Sequence, residues 1–341
     1  MLYRYDVHGF FSLTANIPYF ESLLHAFRNN DGGDPSNSDF SFILDPTLKI
    51  STANKPRINI MLYHDPSDNS IEFYYPWLRP IYAKLGTIDG GKRYAFRFNK
   101  SYLRSSQLAG GGWRLQSIYR SLLQLHLIRK RMFILHGGAV KIGDHGVIIP
   151  AVENTGKTTT TWMLAKRGAE FLTDEHVIID GEERSYGIPT SSAITPATAR
   201  AVGLKLSPRD RIALAFNHFK GKVLTVHLSP GGMEVYPDKL FKICNSIKVN
   251  SIAVIQNGTD SVREMTIDET LTKIRTIQAI EFPWRVNPFI LAQSFFNPNF
   301  DANTLAVQED QLLTSFVSKV PHLYLVSSSS REHYKAIEKL V

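Results

Sequence analysis

Residues 146–167 constrain this chain more than any other stretch. An apolar run, Gly146-Val147-Ile148-Ile149, leads into Ala151-Val152-Glu153-Asn154-Thr155-Gly156-Lys157-Thr158, and a helical pattern runs on from Lys157 to Arg167. A chain that feeds a strand into a Gly-Lys-Thr loop and then a helix is committed to a strand–loop–helix unit packed on a sheet. The spacing is that of a Walker A loop, with Ala151 standing where the first glycine usually stands. Backbone N–H groups of such a loop can wrap a polyphosphate, and the N-terminus of the following helix favours negative charge. Asn154, Thr155, Gly156, Lys157, Thr158 and Thr159 are therefore the expected nucleotide contacts. Lys157 is expected to reach the β- and γ-phosphates, and the Thr158 hydroxyl to bind Mg²⁺. Two residues run against the pattern: Ala151 carries a Cβ where the loop turns, and Glu153 places a negative charge within it.

Sixteen residues beyond Lys157 the chain reads Thr173-Asp174-Glu175-His176, just ahead of the apolar Val177-Ile178-Ile179. Adjacent acids at the start of a strand can supply both a metal ligand and a base for an acceptor hydroxyl. Asp174 and Glu175 are read in those roles. His136, in Leu135-His136-Gly137-Gly138, has glycine neighbours that allow a ligand close to the backbone. His136, His145 and His176 lack the spacing of a zinc site, and the single Cys244 excludes an internal disulfide and any multi-cysteine zinc site.

Beyond this unit, the first hundred residues read as strands, at Ile58–His64, Ile71–Tyr75 and Tyr94–Phe98. Gly110-Gly111-Gly112 breaks the chain before a helix expected from Trp113 to Arg131. Strands are expected at Phe133–His136, Val223–Leu228, Ser251–Ile255 and Leu323–Val326. Helices are expected near 269–280, 288–296, 308–318 and from Arg331 onward. The expected architecture is α/β, α+β overall, with a smaller and mostly antiparallel β domain over residues 1–110 and the phosphate-loop domain over 111–341. No apolar run approaches the roughly 18 residues of a membrane span, and the N-terminus lacks a signal-peptide pattern. A cytoplasmic protein with no membrane partner is expected.

The formal net charge is +8, but it is not spread evenly. Residues 1–89 carry −3, 90–143 carry +11 with no acidic side chain, 144–183 carry −5, 184–222 carry +6 and 223–341 carry −1. The basic block suits an acidic or phosphorylated acceptor, whether protein, peptide or small molecule. Tyr94, Phe96, Phe98, Tyr102 and Trp113 are interleaved with it, a pattern that also suits nucleic acid held by backbone contacts and stacking, the lesser alternative.

The order Leu135-His136-Gly137, Gly146-Val147-Ile148-Ile149, Gly156-Lys157-Thr158, Arg167-Gly168 and Asp174-Glu175 resembles the HPr kinase/phosphorylase and phosphoenolpyruvate carboxykinase superfamily. Asn250 to Thr266 resembles the strand pair that follows in those kinases. The resemblance is confined to residues beyond 110 and is strongest from about 130 to 185. It implies an HPr kinase-like P-loop core, ATP with Mg²⁺, and phosphoryl transfer to a hydroxyl. By that match Lys157 and Thr158 hold phosphate and metal. Asp174 is the base or a metal ligand, Glu175 its partner at the metal, and His136 a neighbour of the transferred phosphate. The family's later glycine-rich signature has no counterpart beyond Ser185-Tyr186-Gly187-Ile188. The alternatives are a non-catalytic nucleotide-binding regulatory protein and a basic nucleic-acid-binding protein with a degenerate phosphate loop. Assembly as a homo-oligomer stays open.

Overall fold

The computed structural model describes residues 2–29, 37–76, 79–89, 92–108, 114–181, 184–194, 196–204, 206–209, 211–212, 233–297, 299–329 and 331–341. The triple glycine at 110–112, Trp113 and the expected strand at 223–228 lie outside the described residues. Helices among the described residues are α1 (Glu21–Leu24), α2 (Lys100–Leu108), α3 (Leu115–Arg129), α4 (Lys157–Lys166), α5 (Pro196–Ala201), α6 (Ile267–Glu281), α7 (Pro288–Phe296), α8 (Ala302–Lys319) and α9 (His333–Glu338). With two large mixed sheets, the chain is mixed α/β, or α+β overall. It separates into two compact units, Met1–His126 with Pro283–Val307, and Leu127–Phe282 with Gln308–Val341. A linear reading that cuts once between residues 110 and 111 differs from this division. Pro283–Val307 joins the N-terminal unit through tertiary packing, which local sequence pattern does not encode.

The first unit is built on one sheet. Its strands are β1 (Tyr3–Val7), β2 (Phe11–Ala15), β3 (Arg28–Asn29), β4 (Phe40–Leu44), β5 (Leu62–Asp65), β6 (Ser70–Tyr75), β7 (Ile81–Ile88) and β8 (Arg93–Phe98), in the order β3-β1-β2-β4-β8-β7-β6-β5. Most pairings are antiparallel, but β4 runs parallel to both β2 and β8. β8 alternates as a half-buried strand should: Tyr94, Phe96 and Phe98 are buried and Arg97 is exposed. Tyr102 of α2 is buried beside them, with its ring 5.5 Å from that of Phe96. These aromatics are core, so the stacking platform envisaged for nucleic acid is absent at Tyr94, Phe96, Phe98 and Tyr102. The expected strand at 58–64 begins only at Leu62. Asn59 Oδ1 accepts the N–H groups of Met61 and Leu62, each at 2.9 Å, and this side-chain turn diverts the backbone before the strand can start.

The second unit contains β9 (Phe133–Ile142), β10 (His145–Pro150), β11 (Glu170–Thr173), β12 (His176–Ile179), β13 (Arg184–Ile188), β14 (Ser192–Ile194), β15 (Met233–Val235), β16 (Ser246–Asn257), β17 (Ser261–Glu264) and β18 (His322–Ser328). Two long strands organise it. The first half of β9 pairs with β12 and its second half with β10. The start of β16 pairs with β13, and its middle runs parallel to β10. The ladder β10-β9-β12-β13-β16 therefore returns to β10 and closes on itself. β17 and the rest of β16 flank β18, and they pair with it rather than with each other.

Helices cover both faces of this sheet, so β9 and β10 read as nearly continuous apolar runs. On one side Leu135, Ile148, Val177 and Ile252 pack with Leu271, Ile274 and Ile277 of α6 and with Leu313, Phe316 and Val317 of α8. On the other, Val140, Val147 and Ile149 pack with Leu164 of α4 and Ile337 of α9. The opposite side of α4 buries Trp162 against Ile194 and Ala199. Buried on so many sides, α4 tolerates its threonines because their hydroxyls bond back to the helix: Thr160 donates to the Gly156 carbonyl and Thr161 to that of Lys157. Among the described residues no helix is long and apolar enough to cross a membrane.

Candidate functional site

The strand, loop and helix fall where the pattern puts them: β10 ends at Pro150, residues 151–156 turn, and α4 starts at Lys157. Two backbone conformations make the turn. Asn154 has φ 64°, a left-handed conformation that asparagine tolerates better than most residues. Gly156, the N-cap of α4, has φ 96°, where any side chain would be strained. The Thr155 hydroxyl donates to the Val152 carbonyl at 2.7 Å and tightens the loop. The two residues that run against the motif have separate explanations. The Ala151 methyl group is buried in the apolar cluster with Val147, Ile149 and Leu164. Glu153 is exposed, so its charge stays in solvent.

α4 presses on β9 at Gly138, where an added Cβ would stand 2.3 Å from Cγ2 of Thr161. That close approach sets Lys157 against the neighbouring His136. β9 does not end at His136; it runs through both glycines to Ile142. Lys157 Nζ hydrogen-bonds His136 Nε2. With the ammonium charged, Nε2 is the acceptor and the imidazole is neutral. Both side chains are buried.

Asp174 follows β11 and is 3% exposed. Its Oδ2 accepts the Ser192 hydroxyl at 2.7 Å, while its Oδ1 is buried without a hydrogen-bond partner. Burial pushes the Asp174 carboxyl up to about 6. Ser192's hydrogen bond, the Lys157 charge and the Thr158 hydroxyl pull it back, and the Glu175 charge adds to the rise. Glu175 is half-buried; its Oε2 accepts the Thr190 hydroxyl at 3.3 Å, and its carbonyl accepts the Gly137 N–H at 3.1 Å. Lys157, Thr158, His136, Asp174 and Glu175, widely spaced in sequence, thus meet at the N-terminal end of α4. Asn154 is exposed on the loop. Thr159 differs: its hydroxyl meets that of Thr198 in α5 at 3.3 Å, away from Lys157.

Four contributors carried no motif. Ser192 and Thr190, which steady the acid pair, sit in Pro189-Thr190-Ser191-Ser192, a polar cluster that reads as loop. Gln278 and Glu281 lie three residues apart near the end of α6, hence on one face. Gln278 Oε1 accepts the His136 N–H at 2.9 Å, and its Nε2 donates to the Ile134 carbonyl at 2.7 Å. It satisfies the β9 edge where β10 has already ended. Glu281 Oε1 accepts the Glu153 N–H at 2.7 Å, and its Oε2 lies 3.8 Å from His136 Nε2.

No protein-family model matches this chain, and no curated protein matches it. The chemistry of the site rests on its own geometry. Among the described residues no group of three or more His, Cys, Asp or Glu side chains could hold a metal ion. Mg²⁺ does not need one, because it commonly takes one or two carboxylates and completes its shell with phosphate oxygens and water. The Thr158 hydroxyl and the half-buried Glu175 carboxylate, both beside Asp174, fit that donor set, and the buried Oδ1 of Asp174 stays unpartnered next to them.

Proposed function

We propose that the second unit has an HPr kinase-like P-loop core and is a kinase that transfers the γ-phosphoryl group of ATP, bound with Mg²⁺, to a hydroxyl acceptor. The observation that carries this reading is the convergence of Lys157, Thr158, His136 and Asp174 at the N-terminus of α4, next to a loop turned by Asn154 and Gly156. The residue order shared with the HPr kinase and carboxykinase superfamily supports it.

Lys157 and the first N–H groups of α4 hold the β- and γ-phosphates. Thr158 and Glu175 would hold Mg²⁺, which neutralises phosphate charge when bound, and Asp174 is left to act as base. Asp174 takes the acceptor's proton at Oδ1 as the acceptor oxygen bonds to the γ-phosphorus and the bond to the bridging oxygen breaks, releasing ADP. A carboxyl near 6 is mostly ionised at neutral pH and is still a useful base. Ser192 fixes its other oxygen.

ATP turnover against a panel of serine peptides and small hydroxylated acceptors, read by mass spectrometry, tests the reading. Asp174→Asn should lower turnover by a factor of at least about 10², the usual scale of general-base catalysis. Undiminished turnover in that variant would remove Asp174 as base.

A further inference from the structure

The last turn of α6 puts a carboxylate where the phosphate loop offers its backbone. Glu281 closes α6 and is 9% exposed. A helix C-terminus disfavours an anion, and burial disfavours it further, so this carboxylate needs compensation. It finds some at the loop, where Oε1 accepts the Glu153 N–H at 2.7 Å; Oε2 lies 3.8 Å from the ring nitrogen of His136 that binds Lys157. His136 in turn holds Lys157 Nζ. A loop amide, then the histidine, then the lysine is the set that a bound polyphosphate would engage. Gln278, three residues earlier, clamps the same turn of α6 to the backbone of β9, which holds Glu281 at this position.

We propose that Glu281 is a built-in anion that occupies the phosphate loop in the absence of nucleotide, so that a polyphosphate must displace it to bind. The inference rests on the nucleotide-binding reading above and adds a determinant of its affinity. Displacement frees the Glu153 N–H for a phosphate oxygen and moves the Glu281 carboxylate away from His136. The resident carboxylate also discriminates. A ligand with one weakly charged phosphate competes poorly, whereas a tri- or diphosphate brings enough charge to win.

The test is calorimetric titration of the full chain with inorganic tripolyphosphate, comparing the natural sequence with Glu281→Gln. Glutamine keeps an acceptor for the Glu153 N–H but removes the competing charge. The expected result is tighter tripolyphosphate binding by the variant, by roughly tenfold, the scale of one charge contact in a partly buried site. Binding by the natural chain with equal or weaker binding by the variant overturns the role of Glu281 while leaving the phosphate site standing. No tripolyphosphate binding by either protein overturns both. Hydrogen exchange on the unmodified chain gives a readout independent of the variant's folding. Tripolyphosphate should slow exchange over residues 151–157 and quicken it over 278–282. Slowing at the loop without quickening at 278–282 also overturns displacement.

Discussion

Asp174 is a carboxyl that the fold holds at a cost. It is buried and raised to about 6, with Oδ2 satisfied by Ser192 and Oδ1 left without a hydrogen bond. A carboxyl raised in the folded state binds its proton more tightly there than in the unfolded chain. Its cost is therefore absent below the ordinary carboxylate pKa and grows as pH rises through about 4 to 6, reaching its full value above the folded value. Asp174→Asn should accordingly raise the stability of the ligand-free protein at pH 7.5 by about 1–3 kcal/mol and leave it nearly unchanged at pH 4. Thermal melts at the two pH values measure this, and equal melting temperatures at pH 7.5 would show that the carboxylate is not strained. A stability gain paired with lost turnover is the usual signature of a functional group in an unfavourable environment. At this scale the sequence was informative where a residue type states its chemistry: Lys157 in its loop and the adjacent Asp174-Glu175. It was silent on Ser192, Gln278 and Glu281. Their roles come from side-chain hydrogen bonds across as many as 144 positions, and no local pattern records such a bond.

The decisive element is α4, and its position depends on a missing side chain. Gly138 lets the helix approach β9 so closely that an added methyl would lie 2.3 Å from Thr161 Cγ2. Gly138→Ala should cost about 1–3 kcal/mol, as overpacking does in a dense core, and should also separate Lys157 from His136. A urea titration gives the first, and a weaker affinity for ATP the second. A variant as stable as the natural chain would mean that the contact relaxes freely. Elements with strong periodicity or strong punctuation were legible: α4, α6, α7, β8 and β18 fall close to their expected places. The short strands β11, β13 and β14 were not, because their pairing partners are distant and their own residues carry little alternation. The strand expected at 58–64 was shortened by the Asn59 side chain, whose competition with the ladder is visible only once the turn is formed.

On the scale of the whole chain, the net charge of +8 is a poor guide to function. Seven of the eleven cations in residues 90–143, from Lys92 to Arg120, belong to the first unit, and the proposed catalytic acids belong to the second. Three of the aromatics between those cations, Tyr94, Phe96 and Phe98, fill the core of the first unit and are at most 1% exposed. Charge and aromatic content together suggest stacking on nucleic acid, and burial removes the stacking at Tyr94, Phe96, Phe98 and Tyr102. The mixed α/β class was legible from composition and alternation. The closed ladder of the second unit was not, because β9 and β16 each serve two partners along their length, and one strand's sequence does not say where it changes neighbour. The central claim is that the loop before α4 binds a nucleotide through Lys157. Its most direct test is calorimetric titration of the full chain with ATP and Mg²⁺, set against Lys157→Ala at matched folding. Saturable binding by the natural chain and its loss in the variant is the predicted result. Equal affinity in the two proteins, or no binding by the natural chain, would contradict it.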